Sequence, residues 1–116
     1  MAKTYDMGFD DIEHLSIPYR SANSTHVFHQ YTLKTPAEYR DKLIKHLTEK
    51  EIPAMIYYPV PLYRQEAFSS YVPDNFSFEN IEKLCNSVFS LPIHSEKENS
   101  KQEKIIEAVR SFFNSI

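Results

Sequence analysis

The sequence predicts an α/β (α+β) fold, a small two-layer sandwich in which helices cover a sheet of about three strands. Stretches of alternating apolar and polar residues take turns with stretches whose apolar residues recur at helical spacing. The length of 116 residues, 41% of them hydrophobic and 25% charged, fits one domain with one core. The predicted order is β-α-β-loop-α-β-α, with too few strands for a doubly wound sheet.

Residues 1–25 are predicted to be an extended or irregular lead-in that gains order by packing on the domain formed by residues 26–116. The lead-in mixes acidic residues with Ser and Asn and has few apolar residues at regular spacing. The run HVFHQYTLK, residues 26–34, alternates between apolar and polar positions. It is predicted to be the first strand.

A helix is predicted from Pro36 to about Lys50. Thr35, followed by Pro36 and then Glu38, has the spacing of a capping box with proline at the first helical position. Four residues form the apolar stripe: Tyr39, Leu43, Ile44 and Leu47. Four residues are expected to face water: Arg40, Asp41, Lys45 and Glu49. Pro53 prevents the helix from continuing.

The second strand is predicted over residues 52–59, the β-branched and aromatic run IPAMIYYP. Pro59, Pro61 and Pro73 then frame a loop, because closely spaced prolines block regular hydrogen bonding. One turn of helix is expected within this loop, around residues 66–69. The loop is the best candidate for a functional element of the chain.

Two helices and a third strand are predicted in the last third of the chain. The first helix begins near Ser77 and has five apolar residues at helical spacing: Phe78, Ile81, Leu84, Cys85 and Val88. The run VFSL before Pro92 is predicted to be a strand, and the polar residues 94–99 a linker. Ser100 with Glu103 resembles a capping box for the last helix. Its apolar stripe is Ile105, Val109, Phe112 and Phe113.

Charge and composition argue against several classes of function. The formal net charge is −3 and the basic residues are scattered, so neither a nucleic acid nor a membrane surface is expected as a partner. No apolar run approaches the ~20 residues that span a bilayer, and the acidic N-terminal stretch does not resemble a signal peptide. The single cysteine, Cys85, predicts a buried, reduced thiol and a cytoplasmic protein. The single glycine, Gly8, argues against a phosphate-binding loop.

The sequence predicts neither a metal site nor a catalytic residue. His26 and His29 are three residues apart in a predicted strand, so they point to opposite faces and cannot share one ion without a bulge. One is expected to be hydrogen-bonded at the sheet face and the other to lie near solvent. Cys85 lies on the apolar side of a helix, where it is not an activated nucleophile.

The run YYPVPLYRQ, residues 57–65, is the best candidate for binding. It holds three tyrosines, an arginine and a glutamine on a proline-stiffened loop at a strand end. Preorganised amphipathic donors suit a polar, ring-shaped ligand. Packing at the edge of the core explains the same tyrosines. The residues alone leave both interpretations open.

A resemblance to a known family favours the first interpretation. Five runs follow one another between residues 15 and 114: HVFHQYTLK, RDKLIKHL, IYYPVPLYRQEAF, VFSLPIH and a closing helix with RSFF. Together they resemble the C-terminal portion of the DegT/DnrJ/EryC1/StrS sugar aminotransferases. The most specific block is 57–68, where members that act on nucleotide-linked keto sugars have tyrosine or histidine, tyrosine, proline, then proline-leucine-histidine-leucine-glutamine. Ser-Leu-Pro followed by a histidine, as at 90–94, recurs in the same order.

The resemblance implies the small C-terminal domain of a pyridoxal-phosphate enzyme with the aspartate aminotransferase fold. Such enzymes are usually homodimers that move an amino group from glutamate to a nucleotide-linked keto sugar. The Schiff-base lysine and phosphate-binding residues belong to the large domain. The implied partners are therefore that missing large domain, the nucleotide sugar and, in the full-length enzyme, a second subunit. Pyridoxal phosphate is expected in the full-length enzyme and no cofactor in this chain, because four of its lysines lie on polar helix faces: Lys42, Lys45, Lys50 and Lys104.

The chain is therefore interpreted as a fragment that lines the substrate cleft and is inactive alone. The residues expected to bind substrate are Tyr57, Tyr58, Tyr63, Arg64, Gln65, His29 and Gln30. The alternative is a stand-alone, non-catalytic binding or interaction module derived from that domain.

Two departures from the family pattern favour the alternative. Tyr63 replaces a histidine, which puts any proton-transfer role there in doubt. Glu51 replaces the glycine that ends the first helix, so a left-handed cap is expected to be lost or strained.

Overall fold

The computed structural model describes residues 1–94 and 98–116 and confirms the predicted fold class, with helices packed on a small sheet. Four α-helices and two strands are described: α1 (Ala2–Phe9), β1 (Tyr31–Lys34), α2 (Ala37–Glu49), α3 (Glu79–Ser87), β2 (Val88–Leu91) and α4 (Asn99–Asn114). Short 3-10 helices occupy Leu62–Arg64 and Glu66–Tyr71. The predicted linker over residues 94–99 lies partly outside the described residues.

The sheet is smaller than the three strands predicted. β1 and β2 are antiparallel, with Tyr31 opposite Leu91 and Lys34 opposite Val88. The strand predicted over 52–59 is reduced to one bridge between Met55 and Ser90. Pro53, two residues before Met55, lacks the N–H that would extend the ladder in that direction.

The first strand also begins later than predicted. Residues 26–30 are not part of the sheet, because Phe28 adopts a left-handed φ of 51° that breaks the extended backbone. The Phe28 N–H donates to His26 Nδ1 at 2.9 Å, and the Arg20 guanidinium lies 3.8 Å from the centre of the Phe28 ring. This bend therefore has its own side-chain contacts.

The first residues are helical and not extended, which corrects the expectation for the lead-in. Tyr5 and Phe9 of α1 are fully buried, and their rings stack at 5.6 Å. A Cβ on Gly8 would lie 2.8 Å from Ile106 Cγ2, so the single glycine allows α1 to approach α4 closely. A domain boundary between residues 25 and 26 stays a prediction.

The core lies between the sheet and the helices. It consists chiefly of Tyr5, Phe9, Tyr31, Leu33, Leu43, Leu47, Phe89, Leu91, Ile105, Val109 and Phe112. α4 packs against both α1 and α2, and α3 packs against α2. Cys85 is buried, as predicted.

The predicted capping boxes do not form. α2 begins after Pro36 and α4 after Glu98, and neither helix start has a side-chain cap. The Thr35 N–H instead donates to the carbonyl of Ser87 at 3.0 Å, which ties the end of β1 to the end of α3. The Thr35 N–H that a capping box would pair with the Glu38 side chain is therefore already paired with Ser87.

The end of α2 has a residue in the left-handed region of the backbone. Glu51 has φ 58°, its N–H donates to Thr48, and the Ile52 N–H donates to Leu47 at 2.9 Å. These two bonds define a Schellman motif. The expected strain at Glu51 is therefore confirmed, while the motif itself is not lost.

Glu51→Gly is expected to stabilise the chain by about 1 kcal/mol, because glycine adopts positive φ without the penalty that a Cβ carries. Lys45→Gly, at an exposed position inside α2, is the control and should cost about 1 kcal/mol. Urea unfolding followed by circular dichroism measures both. Destabilisation by Glu51→Gly would mean that the Glu51 side chain contributes more than the backbone strain costs.

Candidate functional site: a cleft at one end of the sheet

A small cleft lies where β1 begins and β2 ends. Its volume is about 260 Å³, and it gathers three of the predicted site residues, His29, Gln30 and Tyr57. The remaining lining residues are Pro53, Met55, Ser90, Leu91, Pro92, Ile93 and His94. Polar rings, an amide and apolar side chains thus share one concave surface.

The antiparallel register brings these residues together. Tyr31 faces Leu91, so the residues that precede β1 lie beside those that follow β2. The third segment is held by Met55, whose N–H donates to the Ser90 carbonyl at 2.9 Å and whose carbonyl accepts from the Ser90 N–H at 2.8 Å. Tyr57 follows two residues later and is half exposed.

A hydrogen-bonded cluster lies at Tyr31, the residue that follows Gln30 in the chain. The Tyr31 hydroxyl donates to Asp6 at 2.7 Å, and Asp6 also accepts from Arg20. The pKa of Tyr31 is raised well above its usual range, chiefly by burial and to a smaller extent by the hydrogen bond to Asp6. The hydroxyl is therefore protonated and serves to hold α1 against the start of β1.

Tyr63 and Arg64 lie outside this cleft and contact α3. The Tyr63 hydroxyl donates to Glu82 Oε1 at 2.6 Å and accepts from the Phe78 N–H at 3.0 Å. Arg64 Nε donates to the same carboxylate oxygen. The hydrogen bonds from Tyr63 and then Arg64 lower the pKa of Glu82. We call Tyr63, Arg64 and Glu82 the anchor cluster.

Aromatic contacts surround the anchor cluster. The rings of Tyr63, Phe76 and Phe78 meet edge to face, with centroids 4.6 to 5.7 Å apart. Edge-to-face pairs of this kind contribute about 0.5–1.5 kcal/mol each beyond the area they bury. These contacts add to the hydrogen bonds that hold Tyr63 against the start of α3.

The other two predicted site residues point to solvent. Tyr58 is 76% exposed, and Gln65, also exposed, follows the first 3-10 helix. Met55 and His94 line the cleft but were not among the predicted site residues. The sequence contained a signal for His94 as a site residue, because it follows the Ser-Leu-Pro run.

The described residues do not offer a site for a Schiff base or a metal ion. Every lysine in residues 1–94 and 98–116 is exposed, whereas a Schiff-base lysine is activated by a desolvated pocket. Within the same ranges no three His, Cys, Asp or Glu side chains converge on one point. None of the described helices is long and apolar enough to cross a bilayer.

Several larger clefts lie elsewhere among the described residues. The two largest are one of about 760 Å³ between the end of α2 and α4 and one of about 680 Å³ between the end of β1 and α3, and others of about 600 and 320 Å³ lie along α4. None of these four contains a residue of the loop 57–65. We place the candidate site at the smaller cleft because aromatic and polar side chains from three segments converge there.

Comparison with known structures defines the class of protein. The fold matches a part of longer solved chains: DesV from Streptomyces venezuelae, solved with a ketimine intermediate, superposes with a TM-score of 0.88 at 29% identity, over 97% of this chain and 30% of that one. A DegT DnrJ EryC1 StrS aminotransferase from Brucella abortus superposes with a TM-score of 0.84 at 30% identity, over 97% of this chain and 29% of that one.

The chain belongs to the DegT/DnrJ/EryC1/StrS aminotransferase family, which matches residues 1–110. It is 30% identical to the dTDP-3-amino-3,4,6-trideoxy-alpha-D-glucose transaminase of Streptomyces venezuelae, over 97% of this chain and 29% of that protein. It is 36% identical to a pleiotropic regulatory protein of Geobacillus stearothermophilus over 76% of this chain and 23% of that protein. The chain thus spans less than a third of the length of these relatives.

Proposed function

We propose that this chain contributes the C-terminal, substrate-covering part of a cytoplasmic aminotransferase that moves an amino group from glutamate to a nucleotide-linked keto sugar. The convergence of His29, Gln30 and Tyr57 in one cleft is the observation that carries the proposal. These side chains offer hydrogen bonds and a ring face to sugar hydroxyls. The family membership and the nucleotide-sugar transaminases among the relatives support the same assignment.

The proposal assigns the cofactor to a different part of the enzyme. Pyridoxal phosphate supplies the chemistry that carries the amino group between substrates. The described residues of this chain do not fit that cofactor, because their lysines are all exposed. The cleft volume of about 260 Å³ also lies below the ~300–1,000 Å³ typical of ligand sites, so a second surface is expected to complete it.

The exposed apolar surface supports a covering partner, which we propose is the large lysine-bearing domain in a homodimeric enzyme. Most of the large exposed apolar side chains fall within one segment of the chain: Met55, Tyr57, Tyr58, Val60, Leu62, Phe68, Tyr71, Phe76, Phe78, Ile81 and Leu84. The radius of gyration, 16.0 Å, exceeds the ~13 Å expected of a compact domain of this size. A concentration of exposed apolar side chains is typical of an interface.

Titration of the ¹⁵N-labelled chain with dTDP-glucose tests the cleft. We expect saturable chemical-shift changes at the amides of His29, Gln30 and Tyr57, with a dissociation constant of about 1 mM, equivalent to about 4 kcal/mol. The affinity is expected to be low because only part of the site is present.

Tyr57→Ala should weaken binding about tenfold, whereas Tyr71→Ala should leave it unchanged. Tyr71 is the matched control because it is an exposed tyrosine outside the cleft. The cleft assignment would be contradicted if no chemical-shift change were detected at about 10 mM dTDP-glucose. It would also be contradicted if Tyr71→Ala weakened binding and Tyr57→Ala did not.

A further inference from the structure

The segment between residues 57 and 65, here called the tyrosine–proline loop, is fixed at both ends. At its upstream end, the paired hydrogen bonds between Met55 and Ser90 attach it to the sheet. At its downstream end, the anchor cluster attaches it to α3. Between these points Pro59 and Pro61 restrict the backbone, and Pro61 is buried. Few residues of the loop are left free to move.

The anchor cluster leaves Tyr63 little capacity to bind a ligand. Its hydroxyl already donates to Glu82 and accepts from the Phe78 N–H. A tyrosine hydroxyl has one proton to donate, so a ligand acceptor would have to displace the carboxylate. The Nε of Arg64 is likewise occupied by Glu82.

We propose that Glu82 is a positioning residue for the tyrosine–proline loop, and that Tyr63 and Arg64 anchor the loop instead of contacting the ligand. This inference rests on the proposed function, because it concerns the loop that bears Tyr57. The Tyr63 hydroxyl has its own partner on α3. The ligand contacts on the loop are then confined to its first residues.

Preorganisation is the physical reason that the anchor affects binding. Ordering a loop at the moment of binding consumes part of the interaction free energy, so a loop that is already ordered binds more tightly. Charge-assisted hydrogen bonds are the stronger kind, and Glu82 accepts two of its hydrogen bonds from this loop. The loss of the Glu82 carboxylate should therefore release the loop while the main core stays folded.

The first test needs no ligand. ¹⁵N relaxation of the wild-type chain should give order parameters of about 0.85 across residues 57–65, and Glu82→Ala should lower them below about 0.6. Glu79→Ala is the matched control, since Glu79 lies on the same helix and pairs only with Lys83 in the described contacts. Glu82→Gln keeps an acceptor for Tyr63 and should restore most of the order. Unchanged order parameters in Glu82→Ala would overturn the proposal.

The second test uses dTDP-glucose. Glu82→Ala should raise its dissociation constant about tenfold, Glu82→Gln should recover most of the affinity, and Glu79→Ala should match the wild type. If Tyr63→Phe weakens binding while the loop keeps its order, Tyr63 contacts the ligand and the proposal is wrong. If the wild type does not bind, the proposed function fails, and the relaxation measurements still decide whether Glu82 positions the loop.

Discussion

Phe9→Ala is expected to reduce the free energy of unfolding by about 3–5 kcal/mol. The ring of Phe9 is fully buried in the core and stacks on Tyr5, which is also fully buried. Small domains have only about 5–15 kcal/mol of stability, so this one change should bring the chain close to unfolding at room temperature. Urea unfolding followed by circular dichroism at 222 nm measures the loss.

Met7→Ala provides the control on the same helix. Met7 is 71% exposed, so its truncation should change stability by less than about 0.5 kcal/mol. If both variants had the same small effect, α1 would be a peripheral lead-in, as the sequence predicted. A large loss for Phe9→Ala alone would show that the first nine residues belong to the core of the domain.

Arg40→Ala is expected to cost about 2–3 kcal/mol. Arg40 was predicted to lie on the water-facing side of α2, and this is wrong, since its side chain is only 10% exposed. The guanidinium donates to the Cys85 carbonyl at 2.9 Å and to the Val88 carbonyl at 3.4 Å. Truncation leaves these carbonyls without that donor where α3 turns into β2, and also removes the packing of the side chain.

Asp41→Ala separates this role from the ion pair that Arg40 makes with Asp41. Asp41 is 75% exposed, and surface pairs contribute little, so its loss should cost less than about 0.5 kcal/mol. Arg40→Lys should recover only part of the stability, because an ammonium cannot reproduce the guanidinium fork. An equal loss in Arg40→Ala and Asp41→Ala, measured by urea unfolding, would assign the effect to the ion pair instead.

The spacing of Arg40 in the sequence nevertheless contains a signal for its burial. It lies three residues before Leu43 and seven before Leu47, both fully buried, so it shares their face of the helix. A charged residue next to an apolar stripe is normally predicted to lie at the exposed edge of that stripe. Only the carbonyls of Cys85 and Val88, more than forty residues away, provide the reason for its burial.

The candidate site was predicted in part for a similar reason. The tyrosine–proline loop was recognised from its composition, and Tyr57 lines the cleft. Tyr63 and Arg64 are equally polar and aromatic, yet both contact Glu82 on α3. Composition identifies a segment that can bind, but it does not say which of its side chains are already engaged by the protein.

The sequence by itself determined the elements whose signals are local. α2 and α4 follow from apolar residues at helical spacing, and β2 occupies the predicted run 88–91, because helix and strand periodicity are properties of consecutive residues. The tertiary structure decided the burial of α1, the reduction of the second strand to one bridge at Met55, and the partners of Arg40 and Tyr63. These depend on contacts between residues far apart in the chain, and such contacts exist only once the backbone has brought them within hydrogen-bonding or van der Waals distance.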